Sequence, residues 1–97
     1  LVDCGADIGL VSLKVAAAVP LDRVVAFEPS AAAFPVLAWN LRHLPGTHRA
    51  LREGVADFVG EGVLCSAAHD PTSDHARFVQ PRERGDFPVT TVDRQSI

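Results

Sequence analysis

The chain has 97 residues, 47% of them hydrophobic and 22% charged, with a formal net charge of −3. This is the composition of one globular domain at most. The eight arginines are scattered, which argues against a nucleic-acid groove or a polybasic membrane patch, and no apolar run approaches the roughly 20 residues of a membrane span.

Residues 1–4 read as the stub of a buried strand, residues 5–9 as a tight glycine turn, and residues 10–19 as a helix. That helix is apolar almost all round, so it is expected to be largely buried. Pro20 to Asp22 break it. Val24 to Phe27 form a continuous apolar run of strand length, as in a parallel strand covered on both faces, and Pro29 ends it. Ser30 is a candidate N-cap for a second helix over residues 31–41. Phe34, Leu37, Ala38 and Leu41 make its inward stripe, and Pro35 predicts a kink or a late start. After the turn LPGTH, residues 49–56 hold a third strand. The β-α-β-α-β order implies an α/β fold with a parallel sheet. Beyond it, DFVGEGVLCSA reads as a hairpin turned at Gly60 to Gly62, residues 69–86 as a polar loop, and FPVTTVD as a short extended segment.

The glycine turn carries the chemical signal. Ligands of open α/β sheets sit beyond the carboxyl ends of the strands, and Gly5 and Gly9 allow a backbone to turn tightly and approach one. Ala6 keeps that wall small. A dinucleotide fingerprint needs a glycine where this sequence has Asp7. A carboxylate there would face an anionic pyrophosphate, a like-charge contact costing on the order of 1 kcal/mol even with solvent screening. Asp3 and Asp7 instead suit a ligand bearing an ammonium and a sulfonium, and S-adenosylmethionine (SAM) has both. Glu28 ends the second strand 19 positions after Gly9, where an acid can accept hydrogen bonds from ribose hydroxyls. NAD and SAM share that ribose, so Glu28 does not separate them. As a strand-end acid it is expected to be dispensable for the fold.

LVDCGADIGLVSL joined to RVVAFEPSAAAFPVLAWNL resembles the FkbM-type family of SAM-dependent methyltransferases, and GVADFVGEGVL and FPVTTVD are similar to later pieces of it. The resemblance implies a Rossmann-like class I methyltransferase fold and methyl transfer to a hydroxyl of a small-molecule acceptor, often a sugar or natural product. It implies that Asp3, Gly5, Ala6, Asp7 and Gly9 surround the methionine part of SAM. Glu28 would then hold the ribose, and Asp57 would lie near the adenine. Asp7 stands where the family commonly has Asn. The family continues past V-x-T-L-D into a fourth strand with a D-x-E-G signature that this sequence does not contain, so no catalytic residue is assigned. With no methionine and an opening directly on a strand, residues 1–97 read as part of a longer domain. Without a fourth strand, residues 1–4 are expected to form an exposed edge and the chain to be marginally folded or to associate.

Other constellations weigh less. His69, Asp70, Asp74 and His75 match no zinc ligand spacing and read as a solvated or acceptor-side loop, with no metal expected. Trp39 reads as a packing residue and Thr90 and Thr91 as strand residues. Cys4 and Cys65 fit neither a disulfide framework nor a zinc site and read as reduced core thiols in a cytoplasmic protein. Two alternatives to the enzyme remain open: a non-catalytic SAM-binding module or remnant, and, disfavoured by Asp7, an NAD-binding half-domain.

Overall fold

The computed structural model describes residues 1–66 and 77–91. The first half is a parallel α/β unit. Strand β1 (Val2–Cys4) leads through helix α1 (Leu10–Ala18) to β2 (Arg23–Phe27), then through α2 (Phe34–Leu41) to β3 (Thr47–Leu51). The strands lie side by side in the order β1-β2-β3, all parallel, with Asp3 opposite Ala26 and Ala26 opposite Ala50. As the apolar run requires, β2 is covered on both faces: Val24, Val25, Ala26 and Phe27 are all buried.

Both helices sit on one face of this sheet. Val24 and Ala26 share a core cluster with Leu37 and Leu41 of α2, and Ala50 of β3 packs against it. Asp3, in register with Ala26 and so on the same face, accepts a hydrogen bond from Ser12 of α1. Helix α2 follows its expected stripe, with Leu37 and Leu41 fully buried. It begins late, at Phe34, with Pro35 in its first turn, where a missing N–H costs nothing. Ser30 caps the turn that precedes it, its Oγ accepting from Ala33 N at 3.2 Å.

Helix α1 departs from expectation. Leu10 and Val11 are 54% and 59% exposed, and Ser12 is its one fully buried residue. The apolar residues of α1 give it no phase of their own; solvent exposure of Lys14, on the side opposite Ser12, together with the Asp3–Ser12 bond, fits the side that faces the sheet. Strand β1 is not the buried strand its apolar run suggests but the exposed edge also expected for residues 1–4; among the described residues it pairs with β2 alone. Cys4 is exposed on this edge and is not a core thiol; Cys65 is half-buried, and both are free. Trp39 is 59% exposed and not a packing residue, since it projects opposite the Leu37–Leu41 stripe.

The third strand is shorter and earlier than the sequence predicts. Strand β3 follows directly on Gly46 (φ 80°), and Gly54–Val55 leaves it to form β4 in a second sheet. That sheet has the order β4-β7-β5-β6, with β5 (Gly60–Ser66), β6 (Arg77–Arg82) and β7 (Phe87–Thr90). Gly60 and Gly62 therefore lie inside β5 and turn no hairpin. A Cβ at Gly62 would come within 2.8 Å of the Val89 side chain and 3.0 Å of Gln80 O, so this glycine serves close approach between strands. The polar stretch expected to be a loop contains β6, whose Pro81 is tolerated because the strand is at the sheet edge. Pro88 in β7 faces past the end of two-residue β4, which pairs only with Val89 and Thr90. His69, Asp70, Asp74 and His75 lie outside the described residues. No helix among the described residues is long and apolar enough to cross a membrane.

Candidate functional site

The site is built where β1 and β2 end together. The carbonyl of Phe27, the last residue of β2, accepts from both Gly5 N and Ala6 N at 2.9 Å, so the two strand ends are tied before the chain turns into α1. Gly5 (φ 71°), Asp7 (φ 52°) and Gly9 (φ 93°) adopt left-handed backbone. Glycine takes this conformation without a steric penalty, and Asp is among the few side chains that tolerate it. Gly9 is needed twice over, because a Cβ there would also stand 3.1 Å from Leu37 Cδ1.

Glu28 is the hinge pin of the turn. Its Oε1 accepts from Asp7 N and its Oε2 from Ser30 N, each at 2.8 Å, so one carboxylate holds the glycine turn to the segment after β2. Glu28 is only 7% exposed. It is thus part of the fold, contrary to the expectation of a dispensable strand-end acid. Removing it would leave two backbone N–H groups without their acceptor, at about 1–3 kcal/mol each if they stay buried. Two further side chains brace the turn. Asn40 Nδ2 of α2 donates to Ile8 O at 2.6 Å, and Ser12 Oγ donates to Asp3 Oδ2 at 2.8 Å.

The structure therefore brings Asp3, Gly5, Ala6, Asp7, Gly9 and Glu28 to one end of the parallel sheet. Asp57 stands apart: it is exposed, follows β4 rather than β3, and does not line the neighbouring cavity. The residue directly after β3 is Arg52, whose Nε donates to Pro29 O at 3.2 Å. That cavity, about 440 Å³, opens between the two sheets beside Glu28 and is lined by Pro29, Ser30, Arg52, Leu64, Asp86 and Phe87, among others. Asn40, Ser12 and Arg52 are the residues that sequence reading missed. Ser12 had a signal, as a polar interruption in an otherwise apolar helix. Asn40 had a weaker one, a polar residue adjoining the inward Leu37 and Leu41.

Partial burial, and then the neighbouring Asp3 carboxylate, push the Cys4 thiol above its ordinary value, so it is a poor thiolate and not a nucleophile in waiting. No cluster of three or more metal-ligating side chains occurs among the described residues, and no buried side-chain polar atom among them lacks a partner. Comparison with family models, with curated proteins and with solved structures finds no match to this chain.

Proposed function

We propose that this chain carries the cofactor-binding half of a Rossmann-like, class I methyltransferase of FkbM type, using SAM to methylate a hydroxyl of a small-molecule acceptor. The observation that carries this reading is the acid-bearing glycine turn, Asp3 and Asp7 among Gly5 and Gly9, clamped by Glu28 to the segment after β2. A carboxylate offers about four acceptor positions, and two remain after Asp7 N and Ser30 N for a pair of ribose hydroxyls. Asp3 and Asp7 supply negative charge beside the turn, as a cationic amino-acid tail requires. A Cβ built at Gly5 would meet nothing within 4 Å, so the turn is open to close approach. The cavity beside Glu28, walled by Pro29, Leu64 and Phe87, is of a size and polarity to take the base. The free thiols of Cys4 and Cys65 suit a reducing, cytoplasmic setting.

SAM, when bound, supplies a methyl group activated on sulfur; the chain's own residues bind and orient, and none is assigned a proton-transfer role. A non-catalytic SAM-binding module is the second reading. It is favoured by the cavity lining, where Asp86 is the one carboxylate among the described residues and no histidine occurs.

Titration calorimetry tests the proposal. SAM or its demethylated product should bind, and NAD should not. NAD binding without SAM binding would overturn the reading, and SAM binding without turnover of labelled methyl groups on any hydroxyl acceptor would select the module. In Glu28→Ala, SAM affinity should fall by about 1.5–3 kcal/mol per charge-assisted hydrogen bond lost. The same variant should melt earlier, so its affinity is measured at a temperature where circular dichroism reports a folded chain.

A further inference from the structure

We propose that the outer edge of β3, with the C-terminal end of α2, is a docking surface for an acidic polypeptide segment that adds as a strand along β3. The proposal is independent of the SAM reading. Residues 39–52 contain Arg42, His43, His48, Arg49 and Arg52 and not one Asp or Glu, in a chain whose net charge is −3. Strand β3 closes the parallel sheet on the side away from β1, and among the described residues it pairs with β2 alone. Thr47, His48 and Arg49 are exposed. An edge of this kind presents backbone donors and acceptors to an incoming strand, and alternate side chains then decide which strand is accepted.

The alternation here is basic on both faces. His48 lies on the helix-bearing face with Ala50, near the end of α2, whereas Arg49 is in register with Val25 and points to the opposite face. On the helix side, Trp39 is 59% exposed with the Arg42 guanidinium 4.9 Å from its ring centroid. The His43 ring meets it edge-on at 6.1 Å. These three residues line a recess of about 140 Å³, and Val36, 43% exposed, continues the apolar ridge one turn back. An added strand with carboxylates on both faces would find a base on each.

Two other occupants fit less well. A second copy pairing β3 with β3 would set His48 and Arg49 against their own kind, and like charges directly opposite destabilise a strand pair. A single-stranded nucleic acid needs cations tracking one groove, whereas these straddle a strand edge of an acidic chain. Charges on an edge strand also guard against aggregation, but that role calls for no excess of one sign, as residues 39–52 show in a chain of net charge −3.

Trp39 is the only tryptophan in the sequence, so its fluorescence reports on the end of α2, where it meets Arg42 and His43. The intact chain is titrated with a ten-residue peptide repeating Glu-Glu-Thr-Thr, which puts carboxylates on both faces of a strand, and the anisotropy of labelled peptide is followed together with Trp39 emission. Saturable binding that weakens with added salt is expected. Arg49→Glu, which leaves the Trp39 environment untouched, should weaken it about tenfold, as should Arg42→Glu. A Lys–Thr peptide should not bind. No saturable anisotropy change, or binding indifferent to both charge reversals, would overturn the proposal. So would tighter binding of a ten-residue oligothymidylate at the same salt, or a dimer by light scattering that Arg49→Glu dissolves.

Discussion

Helices α1 and α2 are near neighbours in every sense. They have nine and eight residues, are both mostly apolar, and lie on the same face of the same sheet. Yet α2 buries Leu37 and Leu41 completely, while α1 turns Leu10 and Val11 outward and buries Ser12. Hydrophobic content does not orient a helix; asymmetry of content does. In α2 the inward residues recur at i, i+3, i+4 and i+7 and the stripe chooses the face. In α1 the apolar residues would serve on nearly any face, so its two polar residues choose instead: Lys14 outward into solvent and, on the opposite side, Ser12 inward to Asp3.

The contrast is sharpest in a pair of truncations. Leu37→Ala removes a fully buried side chain from the cluster with Val24, Ala26 and Leu41, and should cost about 2–5 kcal/mol in denaturant unfolding. Val11→Ala removes a side chain that is 59% exposed and should cost less than about 0.5 kcal/mol. Equal losses in the two variants would mean that α1 is packed as α2 is, and the contrast would fail.

The polar anchor of α1 can be tested directly. Ser12→Ala removes the donor to Asp3 while preserving helix propensity, and should destabilise the chain by about 1.5–3 kcal/mol, the range for a hydrogen bond to a charged group. Ser12→Val would place one more apolar residue in an already apolar helix. If burial set the orientation of α1, that variant would be the more stable of the two; we expect it to be no better than Ser12→Ala.

The smallest effect is read at Cys4, next to the Asp3 carboxylate that receives Ser12. Because partial burial and then Asp3 raise the thiol's pKa in the folded chain, the folded state holds its proton more tightly than the unfolded state. The resulting stabilisation is present below the unfolded thiol's pKa and is lost as pH rises through the folded value. Cys4 should therefore react with iodoacetamide more slowly at mildly alkaline pH in the native chain than in denaturant. Asp3→Asn should speed the native reaction. A rate unchanged by that substitution would remove Asp3 as a cause.

How much of this was legible in the sequence varies by element for one physical reason. The β2 run, the glycine turn and the α2 stripe are local patterns whose meaning is fixed within a few residues, and they read correctly, down to the late start that Pro35 imposes. Gly60 and Gly62 are equally visible as glycines. Whether a glycine turns the chain or admits a neighbouring backbone depends on what lies across from it, and at Gly62 the neighbours are Val89 and Gln80, far along the chain. The same holds at the site. Gly5, Asp7, Gly9 and Glu28 were readable as residue types suited to a ligand. That each Glu28 oxygen accepts from one backbone amide, and that Arg52 rather than Asp57 follows β3 at the cavity, was not.

By itself the sequence determined the periodicities, and with them the parallel α/β order and the acid-bearing glycine turn, because strand runs and helical stripes depend on covalent spacing alone. Tertiary structure decided the rest: which way α1 faces, that Trp39 is exposed, and that Glu28 is a structural clamp. Burial and hydrogen bonding at those residues depend on groups distant in sequence, and no local pattern encodes who those groups will be.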